Sequence, residues 1–89
     1  MSSAPIVERP ISLAQLRPHD WAIITEVGAG QADLPRLMGM GICVGRRLQL
    51  LKGGDPLILR VYDSRIGLSA RLARLVRVMA HADPSGDQG

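Results

Sequence analysis

The stretch Arg36-Leu37-Met38-Gly39-Met40-Gly41-Ile42-Cys43-Val44-Gly45, with Gly54-Asp55-Pro56 after it, decides how this chain folds. Leu34, Leu37 and Met38 stand at i, i+3 and i+4, the spacing of one apolar helix face. Asp33 is placed to cap that helix, and Pro35 is tolerated in its first turn. Gly39 and Gly41 end it. Gly41 is the better left-handed cap, because only glycine adopts that conformation cheaply. Gly45 then opens a strand, and Gly54-Asp55-Pro56 turns the chain back. A phosphate-binding glycine loop needs the reverse order, strand first and helix second, so that the helix N-terminus meets the anion. Gly41, Gly45, Gly54, Asp55 and Pro56 are therefore read as structural turn residues.

Working outward, Ser12 and Gln15 have the spacing of a capping box, with Ile11 and Leu16 at the hydrophobic-staple positions. Pro18 stops this helix after about one turn. Trp21 to Val27 is rich in β-formers and closes on Gly28 and Gly30. Arg46 to Leu51 alternates, Leu48 and Leu50 on one side and Arg47 and Gln49 on the other. Leu57 to Tyr62 repeats the pattern, with Leu57, Leu59 and Val61 inward and Arg60 and Tyr62 outward. Asp63-Ser64 is expected to make a tight hairpin turn. Arg65 to Ser69 follows with Ile66 and Leu68 inward, then a helical turn over Ala70 to Arg74 and a last strand from Leu75 to Met79. About five short strands at close spacing predict an all-β small barrel with one or two short helices, since closure removes exposed edges. Residues 1–10 are expected to form a flexible arm, 11–80 the domain, and 81–89 a flexible tail.

Eighty-nine residues make one domain. Apolar residues are 46% of the chain, too many for a disordered segment. With one Trp, one Tyr and no Phe, the core must be aliphatic, built from Leu, Ile, Val and Met. The net charge of +3 permits an acidic partner without demanding one. The lone Cys43 excludes an internal disulfide and fits a reducing cytosol. No signal peptide or membrane-length apolar stretch is visible, so a cytoplasmic, not membrane-inserted protein is expected.

The order of these pieces resembles FeoA, the small protein of bacterial ferrous iron transport, whose SH3-like module also occurs in iron-dependent repressors. The resemblance rests on Leu13 and Leu16 before Pro18; Arg36-Leu37 with Met40-Gly41-Ile42; Gly45; Gly54-Asp55-Pro56; Ile66-Gly67-Leu68; and Ala73 with Val76 and Val78. His19 and Val44 stand where that family often has Gly and Pro. The resemblance implies an SH3-like barrel. It also implies an accessory protein of ferrous iron uptake acting through contact with FeoB, a membrane permease with a GTPase domain. Two alternatives are a stand-alone module of a metal-responsive regulator and a self-association module, with room for a weak homodimer.

Four residues of the predicted helix, Leu34, Leu37, Met38 and Met40, exceed what one face buries and are the interface candidates. His19, Asp20, Cys43 and His81 are metal-ligand types with no recognised spacing. They suit at most an opportunistic divalent transition metal, and no cofactor is required. The arginines of the last third lack the aromatic interleaving of an RNA-binding barrel, so nucleic acid is not expected. A proline-rich peptide needs an aromatic-lined groove. No nucleophile–base pair or paired carboxylates suggest an enzyme.

Overall fold

From Trp21 to Ile24 every second side chain turns inward, and Ala22 and Ile24 are buried while Trp21 and Ile23 are half-exposed. The same alternation runs through Arg47–Lys52, where Leu48 and Leu50 are buried, and Leu57–Val61, where Leu57, Leu59 and Val61 are. The computed structural model describes residues 9–81, apart from the His81 side chain. The strands are β1 (Ile11–Ser12), β2 (Trp21–Val27), β3 (Arg47–Lys52), β4 (Leu57–Val61), β5 (Ser64–Leu68) and β6 (Val76–His81). The helices are α1 (Leu34–Gly39) and α2 (Ala70–Ala73), with a 3₁₀ turn at Leu13–Gln15.

All six strands join one antiparallel sheet in the order β1-β6-β2-β3-β4-β5. The register slips between Ile24 and Glu26 against β6, and between Leu50 and Lys52 against β4. Such bulges bend and twist a sheet, and here they curl it around one core. The fold is all-β, as its strand pattern predicts, with a short sixth strand added at the start. Sixteen side chains form the core, every one Leu, Ile, Val or Ala. Methionine is absent from the fully buried set: Met40 and Met79 are half-buried.

Several local expectations hold at atomic detail. Ala14 N–H donates to Ser12 Oγ (3.1 Å) and Ser12 N–H to Gln15 Oε1 (2.9 Å), completing the capping box. Gly41 has φ 89°, Gly45 90° and Gly54 118°. At the end of α1, Gly41 N–H donates to Met38 O (3.0 Å) and Ile42 N–H to Leu37 O (2.9 Å). Those two bonds form a Schellman motif, and its usual apolar contact falls on Leu37 and Ile42, both fully buried.

Other expectations need correction. Asp33 does not cap α1: its own backbone is helical (φ −96°, ψ −23°), and a cap residue must be extended to reach forward. Its carboxylate instead accepts from Arg71 Nη1 at 3.5 Å. The hairpin turn is Tyr62-Asp63, one residue earlier than expected, because Val61 pairs with Ser64 and Tyr62 takes φ 58°. The last strand extends through His81, one residue into the segment read as tail. Nearly all of the terminal arm and tail lies outside the described residues.

Asp55 proves to do more than turn the chain. Its Oδ1 accepts from Ala70 N–H at 3.1 Å, so the turn before β4 caps α2 beside Ser69, whose Oγ accepts from Leu72 N–H at 3.2 Å.

Two glycine-type positions test this frame. Gly41→Ala forces a side chain into a left-handed residue, with its Cβ 3.2 Å from Val61 Cγ1. The expected loss is about 1–2 kcal/mol, seen as a lower denaturation midpoint at unchanged slope. His19 already sits at φ 77° with its ring exposed. His19→Gly removes that strain at some cost in chain entropy, and stability should rise by up to about 1 kcal/mol, read as a higher denaturation midpoint.

Candidate functional site

Leu34, Leu37 and Met38 have the spacing of one face, but adjacent side chains on a helix are about 100° apart, and the structure separates Leu37 from Met38. Leu37 points into the core and has no exposed surface, whereas Met38, the next residue, is 57% exposed. Leu34 is half-buried, and Met40 is half-buried against the core. The four helix candidates thus divide. Leu37 belongs to the core, Met40 lies against it, and Leu34 and Met38 meet solvent.

Beyond the glycine corner, Val44 is 64% exposed. Val27, Leu34, Met38, Ile42, Cys43 and Val44 line a shallow cleft of about 260 Å³ with no charged residue in its wall. Met38 and Val44 are two of the three large apolar side chains exposed among the described residues. An apolar cleft with exposed rims is the surface a protein partner uses, and methionine adapts to such contacts. Val27 and Val44 were not legible as site residues. Val27 ends a strand and Val44 sits between turn glycines, and only the fold brings them beside α1.

The metal-ligand types do not gather. Among the described residues no group of three His, Cys, Asp or Glu side chains comes together. His19 is an exposed turn residue whose backbone N–H donates to Leu50 O at 2.6 Å. Asp20 Oδ2 accepts from Arg17 N–H at 3.0 Å, closing the same turn. Cys43 is half-buried in the wall of the apolar cleft, where its Sγ accepts from Arg46 Nη2 at 3.5 Å. The backbone of His81 pairs with Trp21.

The FeoA domain model matches residues 11–80. The chain is similar to the crystal structure of an iron uptake regulatory protein, FeoA, at 25% identity and a TM-score of 0.78, covering 82% of this chain and 100% of that one. It is also similar to Stenotrophomonas maltophilia FeoA complexed with zinc, described as a procaryotic SH3 domain protein, at 27% identity and a TM-score of 0.64. That match covers 84% of this chain and 92% of the other. A manganese-dependent transcriptional repressor shares the fold at 16% identity and a TM-score of 0.77, over 88% of this chain and 45% of that one. No curated protein sequence matches significantly. The bent sheet is thus an SH3-like barrel.

Aspartate substitutions separate core from surface in α1 and beyond. Leu37→Asp buries an unpaired charge and should abolish cooperative folding. Met38→Asp and Val44→Asp should keep the parent melting behaviour to within about 0.5 kcal/mol. Thermal melts followed by circular dichroism give the answer.

Proposed function

The chain belongs to the FeoA family, and from that membership we propose that it is a non-catalytic accessory protein of ferrous iron uptake. It works in the cytoplasm, by contact with a FeoB-type membrane permease that bears a GTPase domain. The observation that carries the reading is the family match over nearly all of the described residues, joined to an uncharged cleft with exposed Met38 and Val44 on its rim. Docking through that cleft holds the protein against the permease and tunes its assembly or nucleotide-driven gating. Iron in this reading is the permease's cargo.

A second reading, a module of a metal-responsive regulator, has only the repressor likeness behind it. At that identity it speaks for the fold alone. The helices among the described residues are six and four residues long, too short to form a helix-turn-helix.

The deciding experiment is a pull-down of the permease's cytosolic GTPase domain by the purified chain. Binding is expected, with Met38→Asp and Val44→Asp together weakening it at least tenfold and Arg74→Gln leaving it within twofold. Absence of binding overturns the reading. Binding that ignores the double variant moves the contact elsewhere. A parent protein that runs as a dimer, dissociated by the same two substitutions, turns the cleft into a self-association surface.

A further inference from the structure

The outer face of the sheet has a composition the inner face lacks. Trp21 pairs with Gln49, Gln49 with Arg60, and Arg60 with Arg65, so these four stand in one row across β2, β3, β4 and β5. Arg47, two residues from Gln49, lies on the same face opposite Ile23. At the end of the row, the Arg46 guanidinium stacks over the Tyr62 ring, 4.1 Å from its centroid. Trp21, Gly45, Arg46, Arg47 and Tyr62 line a cleft of about 460 Å³. The chain's two aromatic residues and two adjacent arginines thus meet in one place, though they are widely separated in sequence.

Every polar side-chain group in that wall is a donor or a cation, save that the Tyr62 hydroxyl can also accept. No acid lines the cleft. β3, β4 and β5 carry no acidic residue, and the one ion pair among the described residues, Arg71 with Asp33, involves none of these arginines. The indole Nε1 of Trp21 is buried and has no hydrogen-bond partner among the described residues.

Two of the amides at the cleft are engaged, Gly45 N–H with Ile24 O (2.8 Å) and Arg46 N–H with Cys43 O (3.1 Å). Those two amides are not free to cradle a phosphate. A guanidinium matches a carboxylate in fork geometry, and a stacked arginine is already held in place for that contact. We propose that this cleft seats an acidic segment of a partner protein, with an Asp or Glu carboxylate held between Arg46 and Arg47. The row of Arg60 and Arg65 extends the complementary charge along the sheet. The partner's identity rests on the function proposed above; the acidic chemistry does not.

Trp21 is the only tryptophan, so its fluorescence reports the cleft directly. The full chain is titrated at low salt with a ten-residue polyglutamate peptide, with the same peptide carrying Gln throughout, and with a ten-nucleotide oligothymidylate. The glutamate peptide should give a saturable change in emission, and the glutamine peptide none. Arg46→Gln with Arg47→Gln should weaken binding at least tenfold, Arg47→Gln alone at least threefold, and Arg74→Gln less than twofold. Arg47 is exposed, so its single variant stays folded even if the double variant does not. No saturable change, equal weakening by Arg74→Gln, or tighter binding of the oligonucleotide overturns the proposal. The permease domain separates the two readings. If it binds the parent and Arg47→Gln equally while the glutamate peptide gives no saturable change, the cleft proposal fails and the function stands. If the peptide binds and the permease domain does not, the function fails and the acidic-segment site stands.

Discussion

The left-handed turn at Gly41 is the constraint on which the rest of this fold depends. A helix that ends there must send its next residue back over its own last turn. Ile42 N–H reaches Leu37 O, and both side chains drop into the core. The chain leaves that corner already aligned with β2: Gly45 N–H donates to Ile24 O, and Ile24 N–H returns a bond to Arg46 O. The β2–β3 register follows from those two bonds, and the outer and inner faces of β3 follow from the register. A one-residue slip would put Arg47 and Gln49 into an aliphatic core.

The same corner builds both surfaces that matter. On one side it holds Val44 and Cys43 against Leu34, Met38 and Val27 in an uncharged cleft. On the other it presents Arg46 to Tyr62, and Arg47 to Trp21, in a cleft lined with cations and hydrogen-bond donors. Arg46 joins them physically: its guanidinium stacks on Tyr62 and also donates to Cys43 Sγ. A small barrel with so little aromatic content has all its large rings outside the core. They are therefore available for contact, while branched aliphatic side chains fill the interior.

The candidate site was legible only in part. Alternation in β3 and β4 and the i, i+3, i+4 spacing in α1 report which way a side chain faces within its own element. The alternation is enough to place Leu48, Leu50 and Leu59 inside, whereas the helical spacing put Leu37 and Met38 on one face and the fold separates them. Neither pattern reports what an outward residue meets, and so Met38 stood among four candidates and Val44 among none. The Asp33 side chain shows the same limit: its spacing fits a cap, yet Arg71, 38 residues away, takes its carboxylate. Asp55 shows the converse, a turn residue whose carboxylate caps a helix fifteen residues on.

The sequence by itself determined the all-β architecture, the aliphatic core, the left-handed turn at Gly41 and the capping box, because each depends on residues within a few positions of one another. Helical spacing, strand alternation and positive φ are local properties of the chain. Only the tertiary structure decided which surfaces exist. Both clefts are assembled from segments that touch solely because the sheet curls and its strands pair in the order β1-β6-β2-β3-β4-β5. Trp21 and Tyr62 are 41 positions apart in the chain, and that separation carries no sign that one arginine pair lies between them.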